Sequence, residues 1–265
     1  MTLKAHIERI DMSAKHSYGY IPDLGDHRDH VYAAAPEHLA ALPPSVDLRP
    51  QCPPVYDQGQ LGSCTANAIA AAIEFDRMKQ GLPDFVPSRL FVYYNERVME
   101  HTVYSDSGAQ IRDGIKSVAK KGVCSEQEWP YDISQFTVTP PTQCYTDALQ
   151  DRALSYQRVQ RNLDQMKACL ASGLPFVFGF SVYSSFESQD VAGRGIVPMP
   201  LPNEQLLGGH AVVAVGFDDA KQRFYARNSW GLGWGVNGSG YFEMPYEYLM
   251  NNQLSSDFWV VKTVG

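Results

Sequence analysis

The chain has 265 residues, 44% of them apolar and 19% charged, and carries a formal net charge of −7. That composition suits a globular protein with a substantial core and excludes disorder along the whole chain. The acidic balance argues against a nucleic-acid partner, which asks for a basic stripe, and no run of about 18 apolar residues offers a membrane span.

Residues 1–44 differ from the rest. Met1–Arg9 lacks the unbroken apolar core of a secretory signal, so a leaderless or already trimmed chain is expected and the compartment stays open. The segment holds five of the seven histidines and the polar run Asp23–His30, and it ends in Leu42-Pro43-Pro44, which favours an extended connector. His27 and His30 read as a solvated turn in preference to a metal patch. The main domain is expected over 45–265, with a helical half over about 55–150 and a strand-rich half over about 151–265.

From Ser63, a good N-cap residue, Ala66, Ile69, Ala70 and Ile73 recur at helical spacing, and Ala68, Ala72 and Phe75 cover other faces. A helix buried nearly all round is expected, ended by Gly81 and Pro83. Further helices are expected at 88–100 and 109–121, an irregular stretch over 122–146, then helices at 147–152 and 163–171. The period then changes, and 175–182, 211–217, 223–228 and 240–244 read as strands. Helices first and strands later describe an α+β protein with two lobes.

Cys64 opens the first long helix, where unpaired backbone N–H groups and the helix dipole favour a thiolate. Taken alone it reads more readily as a small buried hydrophobe. His210 and Asn228 flank a turn at Asp218–Lys221; centred near 219, that turn sets the two opposite each other across an antiparallel pair, within reach of an imidazole–amide hydrogen bond. Thiol, imidazole and amide make a nucleophile, its base and an orienting group. Gln58, in the Gly-rich loop before Cys64, is placed to donate to an oxyanion alongside the Cys64 N–H. Trp230 is positioned to cover the His210–Asn228 pair. The five cysteines are an odd number; with Cys64 set aside, the other four allow three pairings or remain thiols. No Cys/His spacing suggests a metal, and no cofactor is expected.

These stretches resemble the papain family of cysteine peptidases, in its bacterial branch more than among the animal enzymes. The resemblance rests on Gln58…Cys64, on Gly209-His210-Ala211-Val212, on Arg227-Asn228-Ser229-Trp230-Gly231, and on Gly122-Val123…Trp129-Pro130-Tyr131. It covers about Val46 to the C-terminus. It implies a papain-like two-lobe fold, a helical left lobe and an antiparallel sheet or barrel right lobe, with the cleft between them. It implies roles for Cys64 as nucleophile, His210 as base, Asn228 as orienter and Gln58 as oxyanion donor. Gly108 and Ala109 stand where the family has a Gly-Gly pair that binds the substrate strand, Ile111 would wall an apolar pocket, and Gly209 replaces a frequent Asp.

Departures from the family pattern limit what carries over. Leu61 stands where the family has a disulfide-forming cysteine, so its disulfide pattern is not transferred, and the pocket base near Leu254–Ser256 has no clear counterpart. Residues 1–44 take the place of a prosegment, with Tyr18–Tyr32 expected across the cleft; a permanent structural arm is the rival reading. The reading is a monomeric endopeptidase acting on peptides or proteins. The alternatives are an acyl transferase using the same intermediate and a catalytically silent binding module. An exopeptidase shaped by the 187–207 loop is a close variant, though that loop lacks paired histidines.

Overall fold

The computed structural model describes residues 16–265, leaving aside the side chains of Thr263 and Val264. Its strands are β1 (Tyr20–Ile21), β2 (Ser45–Asp47), β3 (Ala109–Gln110), β4 (Ala153–Arg158), β5 (Phe176–Tyr183), β6 (Leu206–Asp218), β7 (Arg223–Arg227), β8 (Tyr241–Pro245) and β9 (Ser255–Val264). Its α-helices are α1 (Pro36–Ala40), α2 (Cys64–Lys79), α3 (Arg89–Met99), α4 (Ile111–Lys121), α5 (Thr142–Ala148), α6 (Leu163–Ala171), α7 (Gln189–Arg194) and α8 (Tyr246–Met250).

Helix α2 is the wall between the two halves. It is buried at every position from Cys64 to Arg77, packing on β6 and β9 on one side and on α3 and α4 on the other. The run Ala70-Ala71-Ala72 explains how: small side chains with high helix propensity let neighbours approach on all faces. Ile69, Ile73 and Phe75 fill the gaps, each burial stabilising by about 1.5–3 kcal/mol. Ser88 caps α3 by accepting from the Phe91 N–H at 3.1 Å.

The strand half is one sheet in the order β4-β9-β5-β6-β7-β8, antiparallel throughout, with β2 added along the end of β6. Its core is aromatic. Phe176, Phe178 and Phe258 meet at ring separations of 6.0–6.1 Å, and Phe180 meets Phe186 edge-on at 5.2 Å. Among the described residues β4 and β8 remain edges, so the sheet is open and the barrel alternative does not form.

Several local expectations need correction. Ala109 and Gln110 form a strand, and α4 starts two residues later, because the backbone there pairs with β1. The expected 147–152 helix is displaced to α5, five of whose seven residues lie in the stretch read as irregular; Asp151 and Arg152 pair with Val123 and Gly265 through their backbones. Strand β6 begins at Leu206, which places His210 inside a strand and not ahead of one. Strands β4 and β9 were not anticipated: Ala-Leu-Ser-Tyr-Gln-Arg is a polar edge strand with little alternation, and β9 hides behind the Asn251–Gln253 turn.

Candidate active site

Cys64 is the first residue of α2 and is fully buried. Ser63 precedes it but does not cap the helix through its side chain. Its hydroxyl instead lies 2.5 Å from the Tyr131 hydroxyl and accepts from Asn67 Nδ2 at 3.0 Å, which fixes the turn entering the helix. Backbone amides of Ala211, Gly19 and Thr65 approach the sulfur and favour its thiolate. Burial outweighs them and pushes the thiol up to about 12. In this closed arrangement the sulfur holds its proton.

The amide of Ala211 carries His210 to the same place. His210 Nε2 lies 2.8 Å from Asn228 Oδ1, and both residues are buried. The expected register is off by two residues near the site, since Val213 faces Arg227 and Ala214 faces Ala226, with a bulge before Gly216. An even shift preserves the face of the sheet. Asn228, just past β7, therefore meets His210 as a diagonal neighbour, a separation that side chains of this length span. His210 Nδ1 is buried without a hydrogen-bond partner among the described residues. Burial drives the imidazole down to about 4, opposed by the Asn228 hydrogen bond and helped by the nearby His16 ring. Trp230 lies over the imidazole, centroids 5.1 Å apart and rings tilted by 31°, and His16 stacks on the indole at 3.8 Å. Water is thus kept from the His210–Asn228 bond.

Gln58 is wholly buried. Its Oε1 accepts from Ser229 Oγ at 2.7 Å, its main-chain N–H donates to the Ser229 carbonyl at 2.9 Å, and its own carbonyl accepts from the Tyr131 hydroxyl at 3.0 Å. These bonds tie the loop before Cys64 to the residues after Asn228. The Nε2 group donates to Leu61 O at 3.0 Å and to Ser17 O at 3.1 Å. A carbonyl oxygen of the N-terminal segment therefore sits on the donor predicted to face an oxyanion.

That segment runs directly over the thiol. Strand β1 pairs in parallel with β3, Tyr20 opposite Ala109, and the Ala109 N–H donates to Gly19 O at 2.7 Å. Close approach requires glycine on both sides. A Cβ on Gly19 would run into the Gly62 carbonyl, and one on Gly209 into the Tyr20 carbonyl. Gly108, at φ +73, faces the Gly19 carbonyl. Ile111 is wholly buried in the first turn of α4. Tyr18 meets His210 edge-on at 5.9 Å and hydrogen-bonds Glu187.

Further out, Arg112 and Asp29 form a bidentate pair at 2.6 and 3.2 Å, and Asp23 accepts from the Arg112 main-chain N–H and from Trp259 Nε1. Arg158 joins Asp257 at 2.6 Å and approaches Asp23 and Asp29. Ser256 lies in the stretch where a pocket base was looked for and Tyr20 in the stretch expected across the cleft, but Asp257 was not singled out from the sequence; the Tyr18-Gly19-Tyr20 triplet, two aromatics around a glycine in a polar segment, was the available signal for the contact.

All five cysteines are free thiols, and the Cys124 and Cys144 side chains are hydrogen-bonding neighbours. Among the described residues no group of His, Cys, Asp and Glu is arranged to hold a metal. The turn at His27 and His30 is held by Arg28 on Asp26. No helix among the described residues is long and apolar enough to cross a membrane.

Comparison with known proteins bears on the family and the fold. The papain family cysteine protease profile matches residues 42–258. The solved structure of xylellain, a cysteine protease from Xylella fastidiosa, is 49% identical and superposes with a TM-score of 0.88 over 100% of both chains. A peptidase C1-like protein of Acanthamoeba polyphaga mimivirus is 44% identical over 94% of this chain and 87% of its own. A cathepsin B-like protein of Giardia intestinalis is 30% identical over 77% of this chain and 69% of its own. In fold alone the chain also matches procathepsin B of Trypanosoma congolense, with a TM-score of 0.73 at 19% identity over 94% of this chain and 86% of that one. The chain belongs to the papain family of cysteine proteases.

Proposed function

We propose that the chain hydrolyses internal peptide bonds through a thioester on Cys64, and that the described part of the N-terminal segment, residues 16–44, holds it closed. The observation that carries this reading is the His210–Asn228 bond, 2.8 Å long and buried, next to Ala211, whose backbone N–H approaches the Cys64 sulfur. With a substrate carbonyl at the sulfur, His210 Nδ1 takes the thiol proton and the thiolate attacks the carbonyl carbon. Gln58 Nε2 and the Cys64 N–H hold the oxyanion. The imidazolium then protonates the leaving amine, and the C–N bond breaks. His210 next deprotonates a water, which attacks the thioester; the acid product leaves and the thiol regains its proton. Asn228 keeps the imidazole turned toward the sulfur throughout.

The segment fills this machinery without reacting. Gly19 presents an N–H to the sulfur, not a carbonyl carbon, and Ser17 gives its carbonyl to Gln58. Gly108, Ala109 and Gly209 are the surface over which a substrate strand would run once the segment leaves, with Trp230 roofing the histidine. A chain shortened to begin near Ser45 should cleave a fluorogenic peptide faster than the full chain. Cys64→Ala should abolish turnover in both while leaving the unfolding transition in place. Turnover near wild type in Cys64→Ala would defeat the assignment.

A further inference from the structure

Tyr20 follows the glycine whose amide touches the Cys64 sulfur, and its ring fills a pocket cut into the sheet. The room comes from Gly179 on β5, where a Cβ would run into the ring. At the inner end the Tyr20 hydroxyl donates to Asp257 Oδ2 at 2.5 Å and lies 2.5 Å from Ser256 Oγ, so its donor and its lone pair are both engaged. A cavity of about 180 Å³ opens beside the ring, walled in part by Phe180, Leu254 and Ser255.

We propose that this pocket is a side-chain subsite selective for a phenol, so that favoured substrates carry tyrosine where Tyr20 now sits. The proposal rests on the reading of the cleft as a peptide-binding site. When the segment leaves, Asp257 Oδ2 loses both the Tyr20 hydroxyl and the Asp23 main-chain N–H, which donates to it at 2.7 Å. With the segment docked Asp257 is 2% exposed; once it leaves, Oδ2 keeps only the long 3.3 Å contact from Ser256 Oγ, which a phenylalanine ring would bury as it is, whereas a tyrosine hydroxyl restores a short bond. A cationic side chain fits less well. Arg158 already pairs with Asp257 at 2.6 Å, and departure of the segment removes Asp23 and Asp29 from beside Arg158 and Arg112. The pocket floor then has its carboxylate engaged and two guanidinium groups nearby.

The test uses the full chain carrying Tyr20→Ala, in a Cys64→Ala background so that turnover plays no part. Calorimetry follows the binding of p-cresol and toluene, which stand for tyrosine and phenylalanine side chains. The expected result is p-cresol at least tenfold tighter than toluene, no p-cresol binding to protein that retains Tyr20, and a preference over toluene below threefold once Asp257→Asn is added. Equal or tighter binding of toluene overturns the proposal, as does absence of p-cresol binding to folded Tyr20→Ala protein.

If Tyr20→Ala fails to fold, Tyr20→Phe supplies the reading. It keeps the ring and should melt below wild type, and Asp257→Asn should shrink that gap; an unchanged melting temperature overturns the proposal. Because the readout is binding or melting, an error in the catalytic assignment leaves it intact. Conversely, turnover with no phenol preference would remove the subsite and keep the peptidase.

Discussion

Replacing Gly19 by alanine isolates the closing role proposed for the N-terminal segment, since the change lies outside the catalytic residues. A Cβ at 19 would meet the carbonyl oxygen and carbon of Gly62, which are backbone atoms and cannot swing aside. Forcing one extra carbon into such a contact costs about 1–3 kcal/mol. The cost falls on the docked segment only, because the released segment has no such neighbour. An equilibrium moved by that amount changes the open population about 5–150-fold.

Gly25→Ala is the matched control: it lies in the same segment, and a Cβ there meets nothing within 4 Å. The assay is the second-order rate of Cys64 alkylation by iodoacetamide, alongside cleavage of a fluorogenic peptide, in full-length protein. Gly19→Ala should raise both rates together by that factor, with Gly25→Ala at wild-type rates. Unchanged rates in a folded Gly19→Ala protein would refute the idea that the segment is a plug.

Alkylation should also report the state of the thiol. In the closed chain, with Cys64 pushed up to about 12, the thiolate fraction and hence the rate should climb about tenfold per pH unit between pH 7 and 10. In the opened Gly19→Ala protein an imidazolium partner should flatten that climb, and a steep climb there would argue against an ion pair. Asn228→Ala removes a buried 2.8 Å bond and strands His210 Nε2, a cost of about 1–3 kcal/mol. Measured in the opened protein, kcat should fall about 5–150-fold with KM little moved. Gln58→Ala should lower kcat about 10²–10³-fold if its amide holds the oxyanion, and the melting temperature should drop as well, since Ser229 and Leu61 lose their partner. Asp29→Ala leaves the Arg112 guanidinium buried without its bidentate partner, so it should speed alkylation of the full chain; an unaltered rate would show that this pair does not hold the segment.

The parts of this molecule legible in the sequence are those where local chemistry and fold agree. The α2 pattern is read correctly because alanine propensity and all-round burial both point to a helix. The pairing of His210 with Asn228 was reached from a turn centred near 219, although the actual turn and bulge shift the register by two; the conclusion survives because parity, not the exact partner, decides the face. What the sequence hid depends on long-range partners. Ala109 reads as helix until β1 is there to pair with it. Nothing local marks Asp257, at φ +58 beside an aromatic run, as the floor of a pocket whose occupant lies more than two hundred residues earlier. Ser63 has the right chemistry for a cap, but its hydroxyl is claimed by Tyr131 and Asn67.

The most direct test of the central claim is covalent labelling with a peptidyl epoxide, followed by peptide mapping of the modified residue. The account predicts a single adduct on Cys64, formed slowly in wild-type protein, faster in Gly19→Ala, and absent when His210 is replaced by alanine. Labelling at Cys52, Cys124, Cys144 or Cys169 in place of Cys64, or labelling of Cys64 at full rate without His210, would contradict it.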